Sequence, residues 1–188
     1  PRFLQVHNSY LVTENEDGIV IIDQHALHER VIYEKLHHQL QQGKLLSQRS
    51  LIPEIIDVTA EQMALIEHSR ALLEDLGILL EPFGPSSVAV QGFPVLLERL
   101  SPVAFIADLL DTLAAQSGPL SREEIYHDIL DMMACKAAVK AGNPLDDAEI
   151  EALLSRLDTV DRSGNCPHGR PTTIRLSLAQ LEKQFKRS

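Results

Sequence analysis

Two patterns of hydrophobic residues follow one another along this chain of 188 residues. Short segments in which apolar and polar residues alternate predict strands, and longer segments with apolar residues three or four positions apart predict helices. The predicted strands are residues 3–6, 10–13, 18–23, 50–58, 78–80, 88–91 and 172–176. The predicted helices, bounded by capping residues and Gly, are residues 24–41, 59–76, 101–115, 121–142, 146–157 and 178–186. This order of elements predicts a mixed fold of the α+β class.

The composition narrows the classes of function. Hydrophobic residues make up 44% of the chain, enough for a sizeable core, but Trp is absent and aromatic residues are only 4%. Aromatic platforms that stack nucleic-acid bases are therefore not expected. The net charge of −10 excludes a protein that coats nucleic acid by bulk attraction. Residues 162–188, however, carry six basic residues and a single acid, so a local basic surface is expected at this end.

The cysteine content and the absence of long apolar runs indicate in which cellular compartment the protein is found. The chain has two cysteines, too few for a disulfide scaffold, so a reducing environment is expected. No signal peptide and no apolar run of about 18 residues is found, which predicts a protein of the cytoplasm without membrane attachment.

The junction between the third strand and the first helix carries the first candidate chemistry. His25 and Glu29 are four residues apart, which places both on one face of the predicted helix, where they could bind one metal ion. Asp23, at the end of the strand, would add a third ligand or a general base. The alternative is that Asp23 caps the helix while His25 and Glu29 lie on a solvated face.

A second group of candidate ligands lies far along the chain. Cys166 and His168 are two residues apart in a segment bounded by Pro and Gly, so both could face one ion. Cys135, on a predicted helix, is a further thiolate candidate; the alternative for it is a small buried hydrophobic residue. Zinc suits a set of carboxylates, imidazoles and thiolates, and Mn²⁺ suits its carboxylate side.

Four motifs resemble the C-terminal domain of the MutL family of DNA mismatch-repair proteins. Asp23-Gln24-His25-Ala26, followed at the family's spacing by Glu29 and Glu34, resembles its endonuclease motif. Six specified positions match by chance with a probability on the order of 10⁻⁸ per window. The other motifs are Ala134-Cys135-Lys136, in which the family has Arg at the third position, Cys166-Pro167-His168-Gly169-Arg170-Pro171 and Phe185-Lys186-Arg187.

The resemblance implies a latent endonuclease that nicks duplex DNA during mismatch repair, with Zn²⁺ bound and Mn²⁺ supporting the chemistry. Asp23 and Glu29 would be the catalytic acids. The implied metal ligands are His25, Glu29, Cys135, Cys166 and His168. The implied supporting residues are Glu34, Lys136, Arg170 and Arg187. Lys136 keeps the charge of the family's Arg but not its planar fork, which could bind a carboxylate or phosphate through two hydrogen bonds.

The resemblance also implies a domain organisation. Residues 1–47 and 135–188 would form a dimerisation and endonuclease subdomain, and residues 48–134 a smaller, inserted α/β regulatory subdomain. Within the insertion, the segment from Gln48 to Pro53 looks like the family's motif for docking on the replication sliding clamp. Gln48 would be a polar anchor, Leu51 and Ile52 apolar plugs, and Pro53 would keep the segment extended. The alternative is a buried edge strand, since Pro is tolerated in strands only at edges and bends.

Several partners follow from the resemblance. They are duplex DNA, a second copy of the chain, the sliding clamp, an upstream ATPase region of the same protein and a mismatch-recognition protein, in the bacterial cytoplasm and at the nucleoid during repair. The second hypothesis is a zinc-stabilised dimerisation and clamp-docking module without catalysis. A metalloprotease is excluded, because the second His of the His-Glu-x-x-His pattern is absent.

Overall fold

The computed structural model describes residues 3–115, 121–138, 145–157 and 171–187. The strands within these residues are β1 Phe3–Val6, β2 Tyr10–Asn15, β3 Gly18–Asp23, β4 Ser47–Asp57, β5 Leu79–Pro82, β6 Ser87–Pro94 and β7 Thr173–Ser177. The helices are α1 Gln24–Gln42, α2 Ala60–Asp75, α3 Pro102–Ala114, α4 Arg122–Ala137, α5 Asp147–Leu154 and α6 Leu178–Gln184. The 3₁₀ turn Val95–Leu97 follows β6. The predicted α+β class is confirmed.

The chain divides into two compact units. The terminal unit consists of Pro1–Glu34 and Ala138–Ser188, and the central unit is Lys35–Ala137. The terminal unit contains an antiparallel sheet in the order β1-β2-β3-β7, here called the terminal sheet, and the central unit contains the central sheet, β4-β6-β5. The divisions lie inside α1 and at the end of α4, and the predicted subdomains, residues 1–47 with 135–188 and residues 48–134, stay predictions. The roles predicted for the two parts stay predictions.

Strand β3 organises the terminal unit. It pairs with β2 on one side and with β7 on the other, so segments from distant parts of the chain share one sheet. Alternate residues of its strands face a core together with α1 and α5, whose first turn is fixed by a capping box between Asp146 and Glu149. The buried members of this core are Leu11, Val20, Ile22, Leu27, Ile150 and Leu153.

The start of β3 requires glycine. Gly18 has a φ of 153°, which side chains disfavour, and a Cβ at this position would lie 2.1 Å from the carbonyl oxygen of Leu176 on β7. The close approach of β3 and β7 therefore depends on the missing side chain.

The central unit packs three helices with its sheet. Strand β6 is the middle strand, and β4, which contains Pro53, is an edge strand, as predicted. Phe93 of β6 contacts Phe105 of α3 edge to face, with ring centroids 5.4 Å apart. Helices α2 and α3 are also joined by a hydrogen bond of 2.9 Å from Gln62 Nε2 to Asp111 Oδ1.

The predicted helix starts in this unit are confirmed by their caps. Thr59 and Gln62 form a capping box at α2, and the Ser101 hydroxyl accepts from Ala104 N at the start of α3. Helix α4 ends at Ala137, and residues 139–142 of its predicted continuation lie outside the described residues. The loop predicted at residues 161–170 lies outside the described residues.

None of the described helices is both long enough and apolar enough to span a membrane.

Ser69 offers a test of the packing of α2. Its side chain is buried, and within the described residues its hydroxyl has no hydrogen-bond partner. Since Ala removes this unsatisfied group and favours the helix, we expect Ser69→Ala to raise the free energy of unfolding by about 1 kcal/mol. Thr59→Ala, which removes the N-cap of the same helix, should lower it by about 1 kcal/mol. Urea unfolding measures both; a Ser69→Ala variant less stable than the wild type would contradict the assignment.

Candidate metal centre and partner surfaces

Asp23 ends β3 and begins α1. Its Oδ1 accepts a hydrogen bond of 3.0 Å from Ala26 N, which makes Asp23 the N-cap of the helix. Its backbone N–H donates to the Thr172 carbonyl at 2.9 Å. The capping alternative for Asp23 is therefore correct, and the cap holds the carboxylate in place with one of its two oxygens.

His25 and Glu29 follow on the first two turns of α1. Glu29 is only 3% exposed, and His25 is half-buried. The alternative interpretation, that Glu29 lies on a solvated face of the helix, is therefore wrong. A carboxylate that is removed from water must be hydrogen-bonded, paired with a positive charge or bound to a metal.

Gln24 and His28, which are neighbours of His25 and Glu29 in the sequence, lie at the same end of α1. Gln24 is buried and accepts a hydrogen bond of 2.8 Å from Gln5 Nε2 on β1. Burial lowers the pKa of His28 below its ordinary value, the nearby charge of His25 lowers this pKa further, and Glu149 opposes the shift. The neutral imidazole is therefore the favoured form of His28 at neutral pH.

The predicted metal ligands are only partly within the described residues. Among these residues, no three His, Cys, Asp or Glu side chains form a group arranged to hold a metal ion. Cys166, His168 and Arg170 lie outside them. Cys135 is half-buried in the central unit. The complete ligand set stays a prediction, but the imidazole of His25 and the buried carboxylate of Glu29, one turn apart, are donors that fit Zn²⁺ or Mn²⁺.

Glu34 is engaged by a different residue of α1. Its Oε1 accepts from the Arg30 guanidinium, which also lies over the Tyr33 ring, 5.5 Å from the centroid. Arg30 and Glu34 are four residues apart and share a face, whereas Glu29 and Glu34 are separated by about 140° around the helix. This contact agrees with a supporting role for Glu34.

Lys136 and Arg187, the other predicted supporting residues that the structure describes, lie far from each other in the chain. Lys136 Nζ pairs with Asp108 Oδ2 at 2.6 Å and so joins α4 to α3 within the central unit. Arg187 is exposed beyond α6, where Lys186 has a φ of 52° and Arg187 N donates to Glu182 O. This C-terminal cap directs the basic end of the chain into solvent.

An apolar surface covers the side of the terminal sheet that faces away from the core. The register places Leu4 opposite Val12, Val12 opposite Ile21, and Ile21 opposite Ile174, so a row of apolar side chains crosses all four strands. Leu4 is 63% exposed and Ile174 55%. We call this row the outer face. The sequence did not predict the outer face, because the alternation of apolar and polar residues within a strand does not determine the register between strands.

The predicted clamp-docking segment forms part of β4. Residues 47–49 pair with β6, pairing resumes at Glu54, and residues 50–53 have no partner on β6. Leu51 is 102% exposed and Ile52 85%. The alternative of a buried strand is wrong for these two side chains, although the segment does lie on a sheet edge.

Comparison with known proteins identifies the relatives of the chain. Residues 3–145 match the family model described as the MutL C terminal dimerisation domain. The chain belongs to this family. Three relatives named DNA mismatch repair protein MutL illustrate the similarity. The protein from Caulobacter vibrioides strain NA1000 is 39% identical over 183 residues, covering 97% of this chain and 29% of the relative. That from Methylocella silvestris is 39% identical over 183 residues, covering 97% and 30%. That from Rhizobium johnstonii is 38% identical over 184 residues, covering 98% and 31%.

The matches cover only part of each relative. The chain spans less than a third of the length of these MutL relatives. The MutL family match includes Asp23, Glu29 and Cys135, whereas Cys166, His168 and Arg187 lie beyond its end at residue 145.

The cap formed by Asp23 allows its structural and chemical roles to be separated. We expect Asp23→Ala to lower the free energy of unfolding by about 1 kcal/mol, because it removes the hydrogen bond to Ala26 N. Asp23→Asn should stay within about 0.5 kcal/mol of the wild type, because an amide oxygen can accept the same bond. Thermal and urea unfolding of both variants without added metal tests this. An equal loss of stability in both variants would mean that the charge of Asp23, and not its hydrogen bond to Ala26 N, stabilises the helix.

Proposed function

We propose that this chain is the self-associating region of a MutL-type mismatch-repair protein and that it also carries a latent, metal-dependent endonuclease that nicks duplex DNA. The outer face of the terminal sheet supports the first part. The endonuclease-like motif at the start of α1, with its buried Glu29, supports the second.

The free energy gained by burying apolar surface supports self-association through the outer face. A row of apolar residues on a sheet gains free energy when a second sheet covers it, at about 25 cal/mol for each Å² removed from water. A two-fold axis lets one such face pack against its own copy, and the family description names dimerisation. Because the row crosses every strand of the sheet, the contact would depend on the whole sheet and not on one loop.

Charged substitutions on the outer face test the dimer. We expect Leu4→Glu and Ile174→Glu to weaken dimerisation by at least about tenfold, since each buries a carboxylate in an apolar contact. Both side chains are more than half exposed, so the monomer should still fold. Phe83→Glu is the matched control, because Phe83 is 61% exposed but lies in the central unit. Analytical ultracentrifugation gives the dissociation constants; an equal effect of all three variants would refute the assignment of the face.

The nuclease proposal assigns roles to residues at the start of α1. His25 and Glu29 would hold a metal ion, together with Cys135, Cys166 and His168 as the motifs suggest. When bound, the metal would polarise the scissile phosphate and lower the pKa of an attacking water. Asp23, held at the N-cap, would orient that water or accept its proton with the oxygen not used in the cap.

Basic residues would contact the DNA backbone. Arg170 and Arg187 are proposed to bind phosphates next to the cleaved bond. Lys136 is paired with Asp108, so it would act by holding α4, which carries Cys135, against α3 and not by binding phosphate itself. The net charge of −10 opposes DNA binding by the chain alone. This opposition supports a latent activity that needs the clamp or the rest of the protein.

Nicking of supercoiled plasmid with Mn²⁺ and the sliding clamp tests the activity. We expect Asp23→Asn to lower the nicking rate by at least about 100-fold, in the range that a general base contributes. The comparison is informative because this variant should keep the helix cap and the stability of the wild type. Equal nicking by both proteins would refute the role of Asp23.

The second candidate function is a zinc-stabilised dimerisation and clamp-docking module without catalysis. The exposed Leu51 and Ile52 favour docking on the clamp in either case. Metal analysis and unfolding with a chelator separate the two functions. If chelation destabilises the dimer while the wild type shows no nicking with the clamp, Mn²⁺ and the complete protein, the module without catalysis is the correct reading.

The other proposed partners act through the complete protein. They are the upstream ATPase region and the mismatch-recognition protein, both carried over from the family resemblance.

A further inference from the structure

The start of α1 is tied to two other segments of the terminal unit. Asp23 N donates a hydrogen bond of 2.9 Å to the carbonyl of Thr172, and Gln24 N donates one of 2.9 Å to the carbonyl of Ser9. The first N–H groups of a helix have no partners within the helix, so Ser9 satisfies one of them. The backbone at the end of β3 is therefore fixed from the side of β7 and from the connection between β1 and β2.

A side chain of β1 provides a third tie at the same place. Gln24, the first residue of α1, is only 2% exposed, and its Oε1 accepts a hydrogen bond of 2.8 Å from Gln5 Nε2. A buried amide oxygen that is left without a donor costs about 1–3 kcal/mol. Without the amide of Gln5, the side chain of Gln24 would have to move to find another donor. Because Gln24 lies between Asp23 and His25, this movement would disturb the candidate catalytic acid and the candidate metal ligand.

The position of Gln5 in the sheet shows that packing alone does not require a glutamine there. Gln5 lies opposite Leu11, and Leu11 lies opposite Ile22, so the three residues share the side of the terminal sheet that faces the core. Leu11 and Ile22 are completely buried, and Phe3, two residues before Gln5 on β1, packs against the same core. An apolar side chain at residue 5 would continue this row. The bond to Gln24 accounts for the amide, and such departures from the apolar pattern are typical of functional sites.

We propose that Gln5 is a positioning residue for the candidate metal centre, because it holds Gln24 and thereby the first turn of α1 in one arrangement. The proposal rests on the proposed endonuclease activity, and it adds a residue of β1 that belongs to none of the four motifs. The role of Gln5 is to keep Asp23 and His25 in the geometry that the reaction needs, not to bind DNA or metal itself. A displacement of about 1 Å at a catalytic site can lower the rate by about 100-fold.

The kinetic experiment compares the wild type with Gln5→Met in nicking of supercoiled plasmid, using the complete protein with Mn²⁺ and the sliding clamp. Met is similar in length to Gln but cannot donate the hydrogen bond. We expect kcat to fall by about tenfold while KM for the plasmid stays within about twofold, because Gln5 acts on the reacting groups and not on DNA binding. Thr59→Ala, which removes a helix cap in the central unit, is the control for a general loss of stability and should keep the kcat of the wild type. A wild-type kcat in Gln5→Met, or an equal loss in Thr59→Ala, overturns the proposal.

A second measurement needs neither metal nor DNA. The Ala26 amide is protected by its hydrogen bond to Asp23 Oδ1, so its hydrogen exchange, followed by NMR, reports how firmly the start of α1 is held. We expect this exchange to be about tenfold faster in Gln5→Met and unchanged in Thr59→Ala. If the wild type does not nick under any of these conditions, the endonuclease function fails, but faster exchange would still support the positioning of α1 by Gln5. Unchanged exchange in folded Gln5→Met overturns the proposal whatever the nicking result.

Discussion

The pairing of β3 with β7 is the interaction on which the terminal unit depends. It joins residues 18–22 to residues 173–177 and places β3 in the interior of the terminal sheet. Contacts between such distant segments are costly in chain entropy, so they need a close and specific fit. Gly18 supplies part of that fit, because any side chain there would collide with the Leu176 carbonyl. The central unit, Lys35–Ala137, has its own sheet and helices.

The same strand links the two proposed functions. Val20 and Ile22 point into the core, Ile21 points to the outer face, and Asp23 ends the strand as the cap of α1. The proposed dimer surface and the proposed metal site therefore share one rigid element. Catalytic residues on strands and helices are held more precisely than residues on loops. Packing of a second copy on the outer face would stabilise the strand that positions Asp23.

Local signals predicted much of the fold. Strands β1 and β3 have the predicted bounds, because alternation and turn residues are properties of a few neighbouring residues. The capping box at Thr59 and the cap at Ser101 are local in the same sense. Prediction failed where packing decides. Strand β4 begins at Ser47, earlier than predicted, because its first residues pair with the end of β6.

For the candidate site, the sequence by itself determined the residue types and their spacing: an acid before the helix, His25 and Glu29 one turn apart, and an apolar pair before Pro53. These follow from covalent order and helix geometry. Only the tertiary structure decided that Glu29 is buried, that Glu34 binds Arg30, that Leu51 and Ile52 are exposed, and that apolar residues of four strands line up in one row. Burial and register depend on which distant segments pack or pair, and that choice is made by the free energy of the whole fold.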